Sequence, residues 1–296
     1  MGMIVLLRSA RLSRASGLCR FSKSSKIDSV CRGYVVAVVV VIVVIVAERL
    51  IMDSYEEGEN PSNLKGFTVS VVFSQLLGLV LIVLLSFWLG HYRGGFAWQT
   101  DLNLQFNYHP LFMVIGFILI NAEALMTYRV FRNQQKYCIK VLHGVMQIAS
   151  LVFAIVGIKA VFDTHNLAQT PIPNMYTLHS WLGLTTVLLF SLQVVVAFFS
   201  FLWPGISYNL REQLMPIHTF IGKAILVMAA ISCLTGMTEK AIFALKTSYP
   251  TELEGKLINS MGLVLVAFVG IVLFIVSWSP WQRIPPPEER HIQLSE

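Results

Sequence analysis

Six apolar stretches, each long enough to cross a lipid bilayer, limit what this chain can fold into more than any other feature. They cover about residues 67–90, 110–131, 141–162, 178–203, 217–237 and 259–279. A spanning helix needs about 20 mainly apolar residues. Hydrophobic residues make up 55% of the 296-residue chain and charged residues 13%, which excludes a soluble globular domain. We therefore predict an all-α integral membrane protein of six transmembrane helices, with Pro110 and Pro216 marking the starts of the second and fifth.

The distribution of charge predicts the orientation of these helices. The loop between the second and third helices is basic and has no acid, the loop between the fourth and fifth contains Arg211, and the tail contains Arg283 and Arg290. The positive-inside rule places all three on the cytosolic side, so both ends of the six-helix core face the cytosol. The net charge of +6 is concentrated before residue 34 and gives no reason to expect nucleic-acid binding.

The chain divides into an N-terminal extension (1–65), the six-helix core (66–280) and a cytosolic tail (281–296). The extension contains a short apolar segment at 34–46, and we leave open whether it is a cleaved targeting segment, an interfacial or re-entrant helix, an extra span, or an extension with no role in the chemistry. The four cysteines have no CxxC spacing, so neither a disulfide framework nor a zinc site is indicated.

Four of the seven histidines share one setting, at the predicted start of a membrane helix. They are His109, His143, His179 and His218. Because consecutive spans are antiparallel, His109 and His179 lie near the non-cytosolic surface, and His143 and His218 near the cytosolic surface. Ionisable residues inside a membrane are functional candidates by default. Two pairs result, one near each surface.

The histidines and the glycines near them leave three interpretations open. Gly183 and Gly222 each follow their histidine by four residues, and Gly116 follows His109 by seven, which would make room for a flat porphyrin between the helices. The alternative is that the histidines make ordinary hydrogen bonds within the bundle and the glycines serve helix packing. A third interpretation is a transporter without haem, in which the histidines bind metal ions or relay protons.

Several local strings resemble one family across most of the core. HYRGGFAW, FNYHPLFMV, KVLHGV, NMYTLHSWLGL, LMPIHTFIG and GMTEKAIF are similar to the cytochrome b-561 family of ascorbate-dependent transmembrane electron carriers, and especially to its duodenal and lysosomal ferric-reductase branch. The resemblance implies that helices 2–5 form a four-helix core around two haems b. It implies His109 and His179 as the axial ligands of one haem, and His143 and His218 as those of the other.

The same resemblance points to a substrate site outside each haem. On the cytosolic face, a basic cluster would attract the anionic donor ascorbate, and the resemblance favours Lys140 and Arg211 for this role, with Arg129 and Lys136 as further candidates. On the other face, His165 and Asn166 are the expected contacts of the electron acceptor, with His91 and Tyr176 as further candidates.

The expected function is transmembrane electron transfer from cytosolic ascorbate to monodehydroascorbate or a ferric chelate on the non-cytosolic side. The expected location is the plasma membrane or an endolysosomal or vesicle membrane. The sequence leaves open which of the two acceptors is used, which membrane holds the protein, and the oligomeric state, a homodimer included.

Overall fold

The computed structural model describes residues 64–283, and within these residues every regular element is helical. Six helices are long and apolar enough to cross a membrane: α1 (Phe67–Tyr92), α2 (Leu102–Val130), α3 (Lys136–Asn166), α4 (Leu178–Leu202), α5 (Tyr208–Ser248) and α6 (Leu253–Ser277). The prediction of an all-helical, six-span fold is confirmed. The expectations for segment 34–46, for most of the N-terminal extension and for most of the tail fall outside the described residues.

Several helices extend beyond the apolar stretches that predicted them. α3 begins at Lys136 and α5 at Tyr208, because the polar residues on either side of the hydrocarbon continue the helix into the interfacial region. Pro216 therefore lies inside α5, and the prediction that it marks a helix start is wrong. His143 and His218 accordingly lie about two turns or more from the first residue of their helices. His179, in the first turn of α4, has the predicted position at a helix start, and His109 is the second residue of the α-helical segment Tyr108–Phe112 within α2.

The packing of the helices creates a four-helix core. α2, α3, α4 and α5 contact one another in a ring, while α1 packs against α6, and α6 in turn contacts α2 and α5. α2 is the most buried of the six. Near the middle of the core, the buried rings of Phe117 on α2 and Phe190 on α4 meet edge to face at 5.0 Å. Large apolar side chains such as Val69, Phe220 and Leu263 are exposed on the outside, as contact with lipid requires.

Two buried polar clusters hold the outer helices to this core. Glu254, at the start of α6, accepts a hydrogen bond from the indole nitrogen of Trp88 on α1 and pairs with Arg93 just after α1. At the opposite end of α6, Arg129 of α2 donates to the main-chain oxygens of Val276 and Trp278. A guanidinium at a helix C-terminus satisfies carbonyls that have no partner within the helix.

Candidate functional site

The first histidine pair lies at the end of the core where α2 and α4 begin. The ring centres of His109 and His179 are 6.0 Å apart, with their planes at 80°. The Nδ1 atom of His109 lies 3.1 Å from the backbone oxygen of Gly157 on α3, and that of His179 lies 2.9 Å from the backbone oxygen of Ser232 on α5. Each ring is therefore held by a helix other than its own.

The second pair lies towards the opposite end, where α3 and α5 begin. The ring centres of His143 and His218 are 6.2 Å apart, with their planes at 78°. His143 Nδ1 lies 2.7 Å from the backbone oxygen of Ala124 on α2. His218 packs against the ring of Phe201 at 5.2 Å, and its backbone oxygen accepts from the side-chain amide of Gln193 on α4. The structure thus brings together the same two pairs that antiparallel helices imply.

Hydrogen bonding fixes the tautomer of three of these rings. A backbone oxygen can only accept, so Nδ1 carries the proton in His109, His143 and His179. Their Nε2 atoms then keep a lone pair, which is the form of imidazole that binds a metal ion. A carbonyl partner on the second ring nitrogen is also the usual support of a metal-bound histidine.

The separation of the two pairs follows from helix geometry. On α3, fourteen residues separate His143 from Gly157, whose carbonyl holds His109, and on α5 fourteen residues separate His218 from Ser232, whose carbonyl holds His179. At 1.5 Å of rise per residue, each interval corresponds to about 21 Å. The pairs therefore lie towards opposite membrane surfaces.

The glycines near the histidines make direct helix contacts. A Cβ atom at Gly116 would lie 2.2 Å from the Cβ of Phe153 on α3, so this glycine allows α2 and α3 to approach closely. A Cβ at Gly183 or Gly222 would meet the side chain of Ser232 or Gln193 at 3.1 Å. Gly236 is the glycine that borders a histidine ring, because a Cβ there would lie 2.6 Å from Cε1 of His179. The sequence spacing did not identify Gly236, since it lies on α5, far from His179 in the chain.

The basic residues expected beside the second pair fall into two groups. Lys140, one turn before His143, donates to the backbone oxygen of Phe201 at 2.9 Å, and it lies close enough to Arg211 and Lys136 for their charges to repel it. These three residues form a basic cluster at this end of the core. Arg129 differs from them, because it is buried and its two terminal nitrogens bond the end of α6.

At the other end, the residues expected to contact the acceptor lie where α3 ends. His165 and Asn166 are the last two residues of α3, and Asn174 in the following loop bonds both of them. His165 lies in the neighbourhood of His109. Tyr176 is exposed in the same loop, whereas His91 stacks on Phe87 of its own helix at 5.1 Å.

Comparison with known proteins shows which family this architecture belongs to. The profile of the family described as eukaryotic cytochrome b561 matches residues 108–244, which include all four core histidines. The transmembrane ascorbate-dependent reductase CYB561 of Pongo abelii is 43% identical over 81% of this chain and 94% of its own length. The human CYB561 reductase is 45% identical over 76% of this chain and 88% of its own length. The plasma membrane ascorbate-dependent reductase CYBRD1 of Xenopus tropicalis is 37% identical over 77% and 80%.

The chain belongs to the eukaryotic cytochrome b561 family. It is therefore an integral, multi-pass membrane oxidoreductase of a haem-containing class. Identity is higher with the two CYB561 reductases than with the CYBRD1 reductase, and the branch within the family stays a prediction.

The residues of this cytochrome b561 fit haem as a prosthetic group. A metal–imidazole bond is about 2.0 Å and a ring centre lies about 1.1 Å behind its nitrogen, so two imidazoles on opposite sides of one iron have centres about 6.2 Å apart. The pairs at 6.0 and 6.2 Å match this separation. The Nδ1 bonds already described orient three of the rings with Nε2 available.

Two further side chains near the first histidine pair and the expected acceptor residues were not singled out from the sequence. Lys240 on α5 places its ammonium group 3.8 Å from the centre of the Phe106 ring, and Phe106 packs at 6.1 Å against His109. Asn174 connects the two expected acceptor residues. Both lie within the strings that carry the family resemblance, GMTEKAIF and NMYTLHSWLGL, but neither has a spacing that marks it as functional.

Proposed function

We propose that this chain is a transmembrane ascorbate-dependent reductase that carries electrons from cytosolic ascorbate to an acceptor on the non-cytosolic side. His109 and His179 would hold one haem b, and His143 and His218 would hold a second. Haem iron, when bound, supplies a reversible one-electron oxidation and reduction. The proposed acceptors are monodehydroascorbate and ferric chelates.

The observation that carries this proposal is the presence of two facing imidazole pairs, one towards each end of a four-helix core. A hydrocarbon core of about 30 Å separates donor from acceptor. Two haems about 21 Å apart along the helices would divide the electron's path across it into shorter steps. The relatives are named ascorbate-dependent reductases in each case, which supports ascorbate as the donor.

The proposed donor site is the basic cluster of Lys136, Lys140 and Arg211. Lys140 directs its ammonium group towards the backbone oxygen of Phe201, and Phe201 packs against His218. An ascorbate anion attracted by this cluster would lie beside the second pair. We leave Arg129 out of the donor site, because its bonds to Val276 and Trp278 give it a structural role.

The proposed acceptor site is formed by His165 and Asn166, beside the first pair. The proximity of His165 to His109 supports this position. Lys240 lies near Arg93, whose charge is paired with Glu254, so Lys240 is the residue that adds positive charge at this end and favours anionic acceptors such as ferric chelates. We keep Tyr176 as a further candidate and leave His91 out, since its ring is stacked on Phe87.

The experiment that tests the proposal separates the two surfaces. Holoprotein is reconstituted in oriented vesicles with ascorbate sealed on the Lys140 side, and haem reduction and reoxidation are followed by stopped flow. Lys140→Gln with Arg211→Gln should leave both haems reducible by dithionite. A lost hydrogen bond to a charged group costs about 1.5–3 kcal/mol, which raises the required ascorbate concentration roughly ten- to a hundredfold.

Lys65→Gln is the matched control, since it removes a positive charge just before α1, at the same end of the core. His165→Ala should give the opposite result, with normal reduction by ascorbate and slower reoxidation by a ferric chelate outside. If the Lys140 and Arg211 variants need no more ascorbate than the Lys65 control, the cluster is only a topology signal and the donor site lies elsewhere. A purified protein without haem absorbance would refute the whole proposal.

A further inference from the structure

The loop between α3 and α4 folds back on the end of α3. The backbone N–H of Ile172 donates to the backbone oxygen of His165 at 3.1 Å, and Met175 has a φ of 59°, in the left-handed region. A left-handed methionine is uncommon and adopts this conformation only where its surroundings impose it. The fold of the loop brings Asn174 next to His165 and Asn166, which precede it in the chain by nine and eight residues.

The hydrogen bonds of Asn174 form a chain with a defined direction. Its Oδ1 lies 3.0 Å from Nδ1 of His165, and its Nδ2 donates to Oδ1 of Asn166 at 2.7 Å. An amide oxygen accepts only, so Nδ1 of His165 carries the proton and Nε2 keeps the lone pair. Asn166 accepts at its oxygen, which leaves its own N–H groups as donors. In the described part of the chain, neither His165 Nε2 nor the Asn166 amide nitrogen bonds another residue.

We propose that Asn174 is the positioning residue of the acceptor site, and that the site it builds takes ferric complexes of carboxylate ligands. The inference rests on the proposed acceptor role of His165 and Asn166. Asn174 holds His165 in the tautomer whose Nε2 accepts a hydrogen bond or binds iron, and it turns the Asn166 N–H groups outward. The lone pair on His165 Nε2 can bind the ferric ion, and the Asn166 N–H groups can donate hydrogen bonds to the carboxylate oxygens that coordinate it.

The kinetic test uses reoxidation of reduced haem by ferric citrate outside oriented vesicles. Asn174→Ala should raise the KM for ferric citrate roughly two- to tenfold, the effect of one net hydrogen bond, and leave the maximal rate unchanged. Asn174→Asp keeps an acceptor for His165 Nδ1 but has no N–H for Asn166 and places a negative charge beside an anionic acceptor, so its KM should rise at least as much as that of Asn174→Ala. Gln169→Ala, which removes an exposed amide from the same loop, should leave KM unchanged.

A double-mutant cycle tests whether Asn174 acts through His165. His165→Ala should raise KM at least as much as Asn174→Ala, and the double variant should add little to His165→Ala alone. If Asn174 only stabilised the fold of the loop, Asn174→Ala would instead raise KM by the same factor in wild type and in His165→Ala.

A spectroscopic test is independent of turnover. In the reduced, ¹⁵N-histidine-labelled holoprotein, the His165 signals are identified by their absence in His165→Ala. They should show an unprotonated Nε2 in wild type and a mixture of tautomers in Asn174→Ala. If His165→Ala raises KM while Asn174→Ala changes neither KM nor the tautomer, the inference fails and the proposed acceptor site stands. If His165→Ala leaves KM unchanged, the acceptor site itself is refuted, and the inference with it.

Discussion

The contact between Gly236 and His179 allows a test of one haem site without touching a proposed ligand. A Cβ atom at position 236 would lie 2.6 Å from Cε1 and 2.9 Å from Nδ1 of His179, whereas ordinary contact begins at 3.4 Å. The imidazole therefore has to retreat by close to 1 Å in Gly236→Ala. Because Ser232 lies one turn before Gly236 on the same face of α5, this movement also breaks the 2.9 Å bond from Nδ1 to the Ser232 oxygen.

The expected cost combines overpacking, about 1–3 kcal/mol, with the loss of one hydrogen bond, about 0.5–1.5 kcal/mol. A total of about 1.5–4.5 kcal/mol lowers the affinity for the haem proposed at the His109/His179 pair roughly 10- to 1,600-fold. The haem of the His143/His218 pair should be unaffected, because its rings lie about 21 Å away along the helices. The haem-to-protein ratio measures how much haem is lost. A reductive titration separates the two haems by their potentials and shows which one is missing.

Gly270→Ala in α6 is the matched control, since a Cβ there meets nothing within 4 Å and both substitutions replace a helical glycine by alanine. The control should retain both haem components. If Gly236→Ala also retains both in full, with unchanged potentials, then His179 is not an axial ligand in the position described.

Two further predictions concern other parts of the core. His109→Ala and His143→Ala should each remove one haem and leave the other reducible, and adding His218→Ala to His143→Ala should cost little further haem; additivity of that last combination in the optical spectrum would show that the pairing is wrong. Arg129→Gln removes the charge that bonds the end of α6 and should lower the free energy of unfolding by about 1.5–3 kcal/mol, seen as a lower Tm, while the ascorbate concentration needed for haem reduction stays the same. A marked rise in that concentration would return Arg129 to the donor site.

The six spans and the two histidine pairs could be predicted because both depend only on the apolar length of each helix and on the order of the helices along the chain. Apolar length defines a span, and the order of antiparallel spans decides which histidines share a surface. The helix ends could not be predicted from apolar length alone, because Lys136 and Tyr208 begin helices in polar sequence outside the hydrocarbon. Pro216 was misassigned for the same reason.

The residues that support the histidines could not be predicted, because each acts from a different helix. Gly236 makes room for His179, and the carbonyls of Gly157, Ala124 and Ser232 orient rings that are distant in sequence. A backbone oxygen has no sequence signature, since every residue supplies one. The hydrogen bonds from Arg129 to the end of α6 could not be predicted either, and its role at the donor site stays a prediction.

The supporting contacts connect the two pairs mechanically. α3 supplies His143 to one pair and the Gly157 carbonyl to the other, α5 supplies His218 and the Ser232 carbonyl, and α2 supplies His109 and the Ala124 carbonyl. Each of these helices is therefore fixed at both ends by contacts to imidazoles. A helix that slid by one residue would move its histidine and its carbonyl together by about 1.5 Å, and it would disturb both pairs at once. The distance between the pairs is thus set by the number of helical residues between each histidine and the supporting carbonyl on the same helix, so that the interval stays constant while the loops at either end of the core are free to differ.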